Sequence, residues 1–317
     1  MEYYEQLNED LNSVLTTLYG GVNQPDYLFH YTSQSSLHSM LSKGELWLSS
    51  IRGLNDTQEV VFGIDIIRRL IETQPQDSKP ILDIIDTYKT QGTVATYLEF
   101  QRPTYVMSFS TQEDSLADWV NYADDGHGVC VKFKRLEMLP HINHILKDKP
   151  HELLLPVFYF DEGLFSRVPE NEPMITALRD FSSGCLELIS QGDERTQPIL
   201  KPLIFDALTV FSSLIKASFH RSENEWRLIV RLGGPGDSSN IDVICSGTLK
   251  TIYRIVFPDL RVSPSDPTTL NEMRKIVDSF RVGPRLTDDS VLHAIRILTY
   301  KRWGTFFNVA RSSGKLK

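Results

Sequence analysis

The spacing of apolar and polar positions divides the chain into helical and extended stretches. Residues 3–19 repeat apolar side chains at helical spacing and run into Gly20-Gly21, a natural helix stop. "YLFHYT" reads as a strand. "SQSSLHSMLSKG" reads as a helix with Ser33 as N-cap and Gly44 as terminator, and "ELWLSS" as a second short strand. "GLNDTQEVVFGIDIIRRLIETQ" begins as a loop and becomes a helix, with Val60, Ile64, Ile67 and Ile71 on one face. A further helix is predicted over 79–100, a strand over 104–110 ("TYVMSFS") and a short helix over 115–123 ("SLADWVNYA"). "GHGVCVKF" and "ELLLPVFYF" are extended, and 172–218 carries two helical patterns split near "QGDERTQP".

In the last third, "NEWRLIVRL" (224–232) is the strongest strand and "TIYRIVFP" another. "TTLNEMRKIVDSF" and "DDSVLHAIRILTYKRWG" read as helices, with short strands at 279–283 and 305–310. Strands and helices mix without a βαβ rhythm. The expected architecture is α+β: an N-terminal helix (1–24), then one domain (25–317) around a curved mixed sheet, with a helical insertion at about 165–218.

Composition narrows the classes. The 317 residues are 41% hydrophobic and 23% charged, ordinary for a globular protein, and the formal charge of -8 argues against a general nucleic-acid coat. The N-terminus lacks a signal-peptide pattern, and no run of about 18 apolar residues predicts a membrane span. Cys130, Cys185 and Cys245 are far apart, with Cys130 and Cys245 in apolar β-like runs, which predicts buried free thiols. A cytoplasmic location follows as the expectation. Zinc-type spacing, phosphate-loop, dinucleotide and nucleophile-elbow motifs are all missing, and "GGPG" (233–236) reads as a tight turn.

Four polar constellations remain. His30-Tyr31-Thr32 closes a strand just before a helix cap; the pair either packs in the core or grips a ligand, His30 donating and Tyr31 stacking. Asn55, Asp56 and Glu59 are a turn and cap signal or a polar clasp at a pocket mouth. In "WVNYADDGHGV", Trp119 and Tyr122 share a helix face, and His127 stands between glycines that permit close backbone approach. In "SENEWRLIV", strand alternation predicts Glu223, Glu225 and Arg227 on one solvent-open face and Trp226 on the core face. That polar face is either a solvated ion pair or a charge that stabilises a developing cation.

The ordered set "FHYTS", "LND..E", "DWVNYA", "ENEWRLIV" and "RVGPRL" resembles a widespread bacterial family known as a domain of unknown function, from about Leu28 to the C-terminus. More distantly, "LFHYTSQSSLHSMLSKGEL" followed by Glu223-Asn224-Glu225 is similar to ADP-ribosyltransferases of the His-Tyr-Glu type, which pair an opening histidine strand with a later E-x-E. That resemblance implies an ADP-ribosyltransferase-like fold and NAD as the substrate. His30 and Thr32 would hold the nicotinamide ribose and phosphate side, and Tyr31 or Tyr122 would stack on nicotinamide. Ser49, Asn55, His127 and Arg227 would complete the NAD pocket. Glu225 would bind the ribose 2′-hydroxyl and stabilise the oxocarbenium, and Glu223 would orient or deprotonate the acceptor. The serine-threonine-serine element of the arginine-modifying branch is not evident. "ELWLSS" offers Trp47 and Ser49 where the histidine branch has a further tyrosine.

Three functions stay open on these residues. The first is an NAD-consuming transferase or glycohydrolase, a toxin or defence effector with protein, nucleic acid or water as acceptor and an antitoxin or regulator as partner. The second is a nuclease or hydrolase holding Mg²⁺ on Asp56, Glu59, Glu223 and Glu225. The third is a nucleotide-sensing or interaction module without turnover.

Overall fold

A computed structural model describes residues 2–51, 58–74, 77–90, 103–146, 151–161, 169–232, 239–246, 248–263 and 266–314. The elements begin with α1 (Glu2–Gly20), β1 (Tyr27–Thr32), α2 (Gln34–Lys43), β2 (Glu45–Ser50), α3 (Gln58–Glu72) and α4 (Lys79–Thr90). They continue with β3 (Thr104–Ser110), α5 (Leu116–Tyr122), β4 (Val129–Lys134), α6 (Arg135–Leu146), β5 (His151–Pro156) and β6 (Phe158–Phe160). Next come α7 (Glu172–Gln191), α8 (Gln197–Ser212), β7 (Ile215–Ala217), β8 (Glu225–Arg231), β9 (Ile241–Ser246) and β10 (Thr248–Val256). β11 (Asp259–Ser263), β12 (Asp266–Asn271), β13 (Val277–Val282), α9 (Ser290–Trp303) and β14 (Asn308–Arg311) are the last of the described elements.

Ten of the described strands form one mixed sheet, and the fold is α+β as expected. The order β14-β13-β4-β1-β3-β2-β10-β9 is joined by β8, which pairs with β3, and β5, which pairs with β8. β13 and β14 are parallel; the other pairs of this sheet are antiparallel.

The edge of β3 sets up everything that follows. β8 pairs along β3 from Thr104 to Ser110 and fills one edge. β1 and β2 must therefore share the other. β1 meets it at Phe29–Ser110, and β2 at Ser49–Val106 and Ser50–Tyr105. Between these contacts the sheet is split beside Met107, Ser108 and Phe109.

One face of the sheet is covered by α1, α3, α4, α7 and α8, where Leu7, Leu11, Ile67, Phe181 and Phe211 meet Val106 and Ile229. The N-terminal helix thus packs into the same core as the 172–212 helices. Arg231 ties them together by donating to Asn8 Oδ1 at 2.9 Å and pairing with Asp206. The other face is covered by α2, α6 and α9, where Leu41, Met138 and Trp303 meet Phe133, Trp226 and Phe280. Trp226 and Trp119 are both buried, as their spacing implied. Cys130 and Cys185 are buried free thiols, and the Cys245 side chain lies outside the described residues. No described helix is long and apolar enough to cross a membrane.

The expected opening of the chain is present. Ser33 caps α2 by accepting from the Ser36 N–H at 3.1 Å, and Gly44 ends it at φ 67. A side chain at Gly44 would also collide with Asn271. Of the 79–100 helix, Lys79–Thr90 is described, and the rest lies outside the described residues, as does "GGPG".

One helix was misread. Residues 268–280 form the end of β12, a 3₁₀ turn at Glu272–Lys275 and β13. Asn271 fixes that break: its amide donates to Phe257 O and Asp259, and its Oδ1 accepts from Met273 N–H at 3.0 Å. The chain therefore turns where apolar periodicity alone would have continued a helix.

Candidate functional site

A cavity of about 580 Å³ opens at the split in the sheet. His30, Trp47, Ser49, Glu59, Ser108 and Asp118 line it, together with Tyr122, Lys216, His220, Glu223, Glu225 and Arg227. Phe29, Ser110 and Glu225 lie directly opposite one another across β1, β3 and β8, so they share a face. Alternation puts His30 on the other face. It still reaches the same cavity because β1 leaves β3 just past Phe29. The imidazole lies at the split, bonding through Nδ1 to the Ser108 carbonyl at 2.9 Å and meeting Phe109 edge-on. That bond to a carbonyl requires a proton on Nδ1. Burial lowers the His30 pKa and so favours the neutral ring, while the bond to the Ser108 carbonyl pulls the other way.

The E-x-E segment departs from the expected strand. Glu223 ends a 3₁₀ helix (Ser218–Glu223), and Asn224 takes a left-handed conformation (φ 43) before β8 starts at Glu225. Asn is among the residues that tolerate that region best. The two glutamates converge through this turn and not through strand alternation. Nor is their surface solvent-open: Glu225 is 6% exposed and Arg227 2%. The Glu225 N–H donates to the Tyr159 hydroxyl at 2.9 Å, which anchors its backbone.

Three carboxylates and two cations interlock here. Lys216 donates to Glu223 Oε2 at 2.7 Å and Glu225 Oε2 at 2.8 Å, and stands 3.8 Å from Glu59. Arg227 bonds Glu225 through Nε at 2.8 Å and Nη2 at 3.2 Å, pairs with Glu59 and donates to the Ser213 carbonyl. Burial works to raise the Glu225 pKa, but Arg227 and Lys216 outweigh it and hold the carboxyl down at about 2. Glu225 is therefore an anion at any physiological pH. Burial also acts against the charge of Lys216, and Glu225 and Glu59 overcome it, so the ammonium is kept.

The expected roles can now be placed. His30, Tyr31, Ser49, Tyr122, Glu223, Glu225 and Arg227 all line the cavity. Arg227 is fully engaged by protein groups, so it orients Glu225 and presents no free fork to a ligand. Tyr31 is buried, its hydroxyl donating to Gln112 O at 2.8 Å and accepting from Ser115 N–H at 3.0 Å, with its ring against Trp119. It positions α5. Tyr122 is 42% exposed and is the ring open to a partner.

Thr32 and His127 are not among the lining residues. Thr32 is spent pairing with Val129; His127 is exposed, its ring near Asp124 O and its carbonyl taken by Gln34. Asn55 and Asp56 lie outside the described residues. Sequence reasoning missed Lys216, His220 and Asp118. Lys216 was hidden in a three-residue strand, β7, and Asp118 in a helix noticed only for its aromatics.

Asp118 is 2% exposed and its Oδ2 finds no partner among the described residues. Burial raises its pKa to about 6, helped by Glu223 and Glu225 and opposed by Ser110 and Ser115. A carboxyl whose folded pKa lies above its unfolded value costs stability once pH exceeds the folded pKa. That cost fades as pH falls from about 6 toward 4. Asp118→Asn is expected to raise stability at pH 8 by on the order of 3 kcal/mol and to leave it little changed at pH 4. Urea melts of both proteins at the two pH values check this; equal gains at both would refute the ionisation argument.

Among the described residues no group of three His, Cys, Asp or Glu side chains is placed to hold a metal ion. The Lys216 ammonium occupies the space between the carboxylates. Comparison of the chain with family models, with curated proteins and with solved structures gave no match.

Proposed function

We propose that the protein cleaves the nicotinamide–ribose bond of NAD and transfers the ADP-ribosyl group, on an ADP-ribosyltransferase-like fold. The observation that carries this reading is the convergence of His30 and Glu225 on one cavity, although they lie on strands remote in sequence. A cavity of about 580 Å³ is within the size range of sites for compact ligands and accommodates the nicotinamide riboside half of NAD. A carboxylate locked in its ionised form is suited to a transition state that develops positive charge on the ribose. Tyr122, exposed at the rim, offers its ring to nicotinamide, and the neutral His30 offers Nε2 to a ribose hydroxyl.

The reaction on this reading needs no divalent metal, because the site supplies its own cations. The test is to incubate purified protein with NAD in excess chelator and measure free nicotinamide by chromatography. Release that continues in chelator and is lost in His30→Ala supports the proposal. Release or phosphodiester cleavage that depends on added Mg²⁺ favours the hydrolase reading. Saturable NAD binding with no product favours a sensing module.

A further inference from the structure

Both oxygens of Glu223 are already taken. Oε1 accepts from the Tyr122 hydroxyl at 2.8 Å and meets His220 Nδ1 at 3.0 Å, while Oε2 accepts from Lys216. Glu225 accepts from Arg227 through both oxygens and from Lys216 on Oε2. Three of the four acceptor positions of each carboxylate are thus engaged, several by cations, which makes both poor acceptors for an incoming proton. His220 is different. Its bond to the Glu223 carboxyl oxygen puts a proton on Nδ1, and in the neutral ring that tautomer leaves Nε2 with its lone pair. Its side chain is 28% exposed, and it lines the same cavity as Glu225.

We propose that His220, oriented by Glu223, is the general base of this site and accepts the proton of a hydroxyl-bearing acceptor, water or an alcohol. The inference rests on the NAD-cleaving reading and assigns the acceptor step within it. The acceptor oxygen forms its bond to C1′ of the ribose. The C1′–nitrogen bond breaks, and its electron pair neutralises the pyridinium ring of departing nicotinamide. The acceptor proton moves to His220 Nε2, and the imidazolium, paired with Glu223, returns it to solvent. Glu223 is on this account a positioning residue. The charged and titratable groups around the ring are Glu223, Tyr122 on the same carboxylate oxygen, Lys216 on the other, and the adjacent Arg221.

The test uses His220→Asn, whose amide can still donate to Glu223 but has no basic nitrogen. Nicotinamide release from NAD in water is expected to fall about 10²-fold or more. Azide, a nucleophile with no proton to lose, is expected to restore NAD consumption in this variant and to yield ADP-ribosyl azide and nicotinamide. Glu225→Gln should gain no such rescue. Should His220→Asn melt well below wild type, His220→Ala with added imidazole takes its place, with recovery of turnover expected. Undiminished turnover in a folded variant overturns the base assignment alone. A loss that neither azide nor imidazole relieves overturns it too, and assigns His220 to structure. Wild-type protein that releases no nicotinamide overturns the parent reading and this one together.

Discussion

Glu225→Gln is expected to cut nicotinamide release by about 10²–10³-fold, the usual cost of removing one well-placed electrostatic group from a transition state. On the NAD-cleaving reading the loss should fall on kcat with little change in KM, because the charge matters once the ribose becomes cationic and the rest of the cavity would bind NAD. Unlike a surface substitution, this one should also destabilise the fold. Glutamine offers one acceptor oxygen where the carboxylate gives two, and its amide hydrogens would face Lys216 or Arg227. An ion network broken from one side in a buried site costs about 3–5 kcal/mol.

The pH dependence has a definite sign. The folded Glu225 pKa of about 2 lies below the ordinary carboxylate value, so its stabilisation is complete above about pH 4.5 and disappears as pH falls toward 2. Urea melts from pH 3 to 7 should show the wild type losing more stability on acidification than the variant. Kinetics are to be read well below the transition, on folded protein. Wild-type turnover in the glutamine variant would make the E-x-E likeness accidental and remove Glu225 from the chemistry.

The opening of the site was legible in sequence because its signals are local. A strand, a serine cap and a left-handed glycine stop follow one another within residues 27–44, and each has its own chemistry. The E-x-E pair was found for a partly wrong reason. Alternation gave Glu225 and Arg227 a common face correctly, but Asn224 breaks the strand before Glu223 can join it.

The solvent-open reading failed because nothing near residue 225 announces Glu59 or Lys216. They arrive from α3 and β7, and their pairing removes the cost that ordinarily keeps a lone carboxylate at the surface. Asp118 and His220 were invisible for the same reason: each is an ordinary residue until β1, β3, β8 and the 3₁₀ turn bring it to the cavity. The false helix at 268–280 shows the converse. Leu270, Met273, Val277 and Phe280 match helical spacing, and the Asn271 side chain, bonded to two distant segments, decides otherwise.

A stability effect as large as that at Glu225 is expected at Arg227. Its guanidinium is 2% exposed and stands between Glu59 and Glu225, so Arg227→Ala leaves two buried carboxylates with Lys216 as their shared cation. Loss of one partner from such a network costs about 3–5 kcal/mol, most of it from the charges left behind. Lysine should not restore it. A single ammonium cannot reproduce the two bonds to Glu225 together with the bond to the Ser213 carbonyl.

Arg227→Met combined with Glu59→Gln should recover much of the loss, since the double change removes one charge of each sign and fills the space with an apolar chain. The two substitutions touch, so their effects should be strongly non-additive in a double-mutant cycle. Urea denaturation of the four proteins measures the coupling. A cost below about 1 kcal/mol for Arg227→Ala, the range of exposed pairs, would mean the cluster is open to water in solution. In Arg227→Lys that remains folded, NAD turnover should still fall, because Glu225 would keep its charge and lose the fork that aims it.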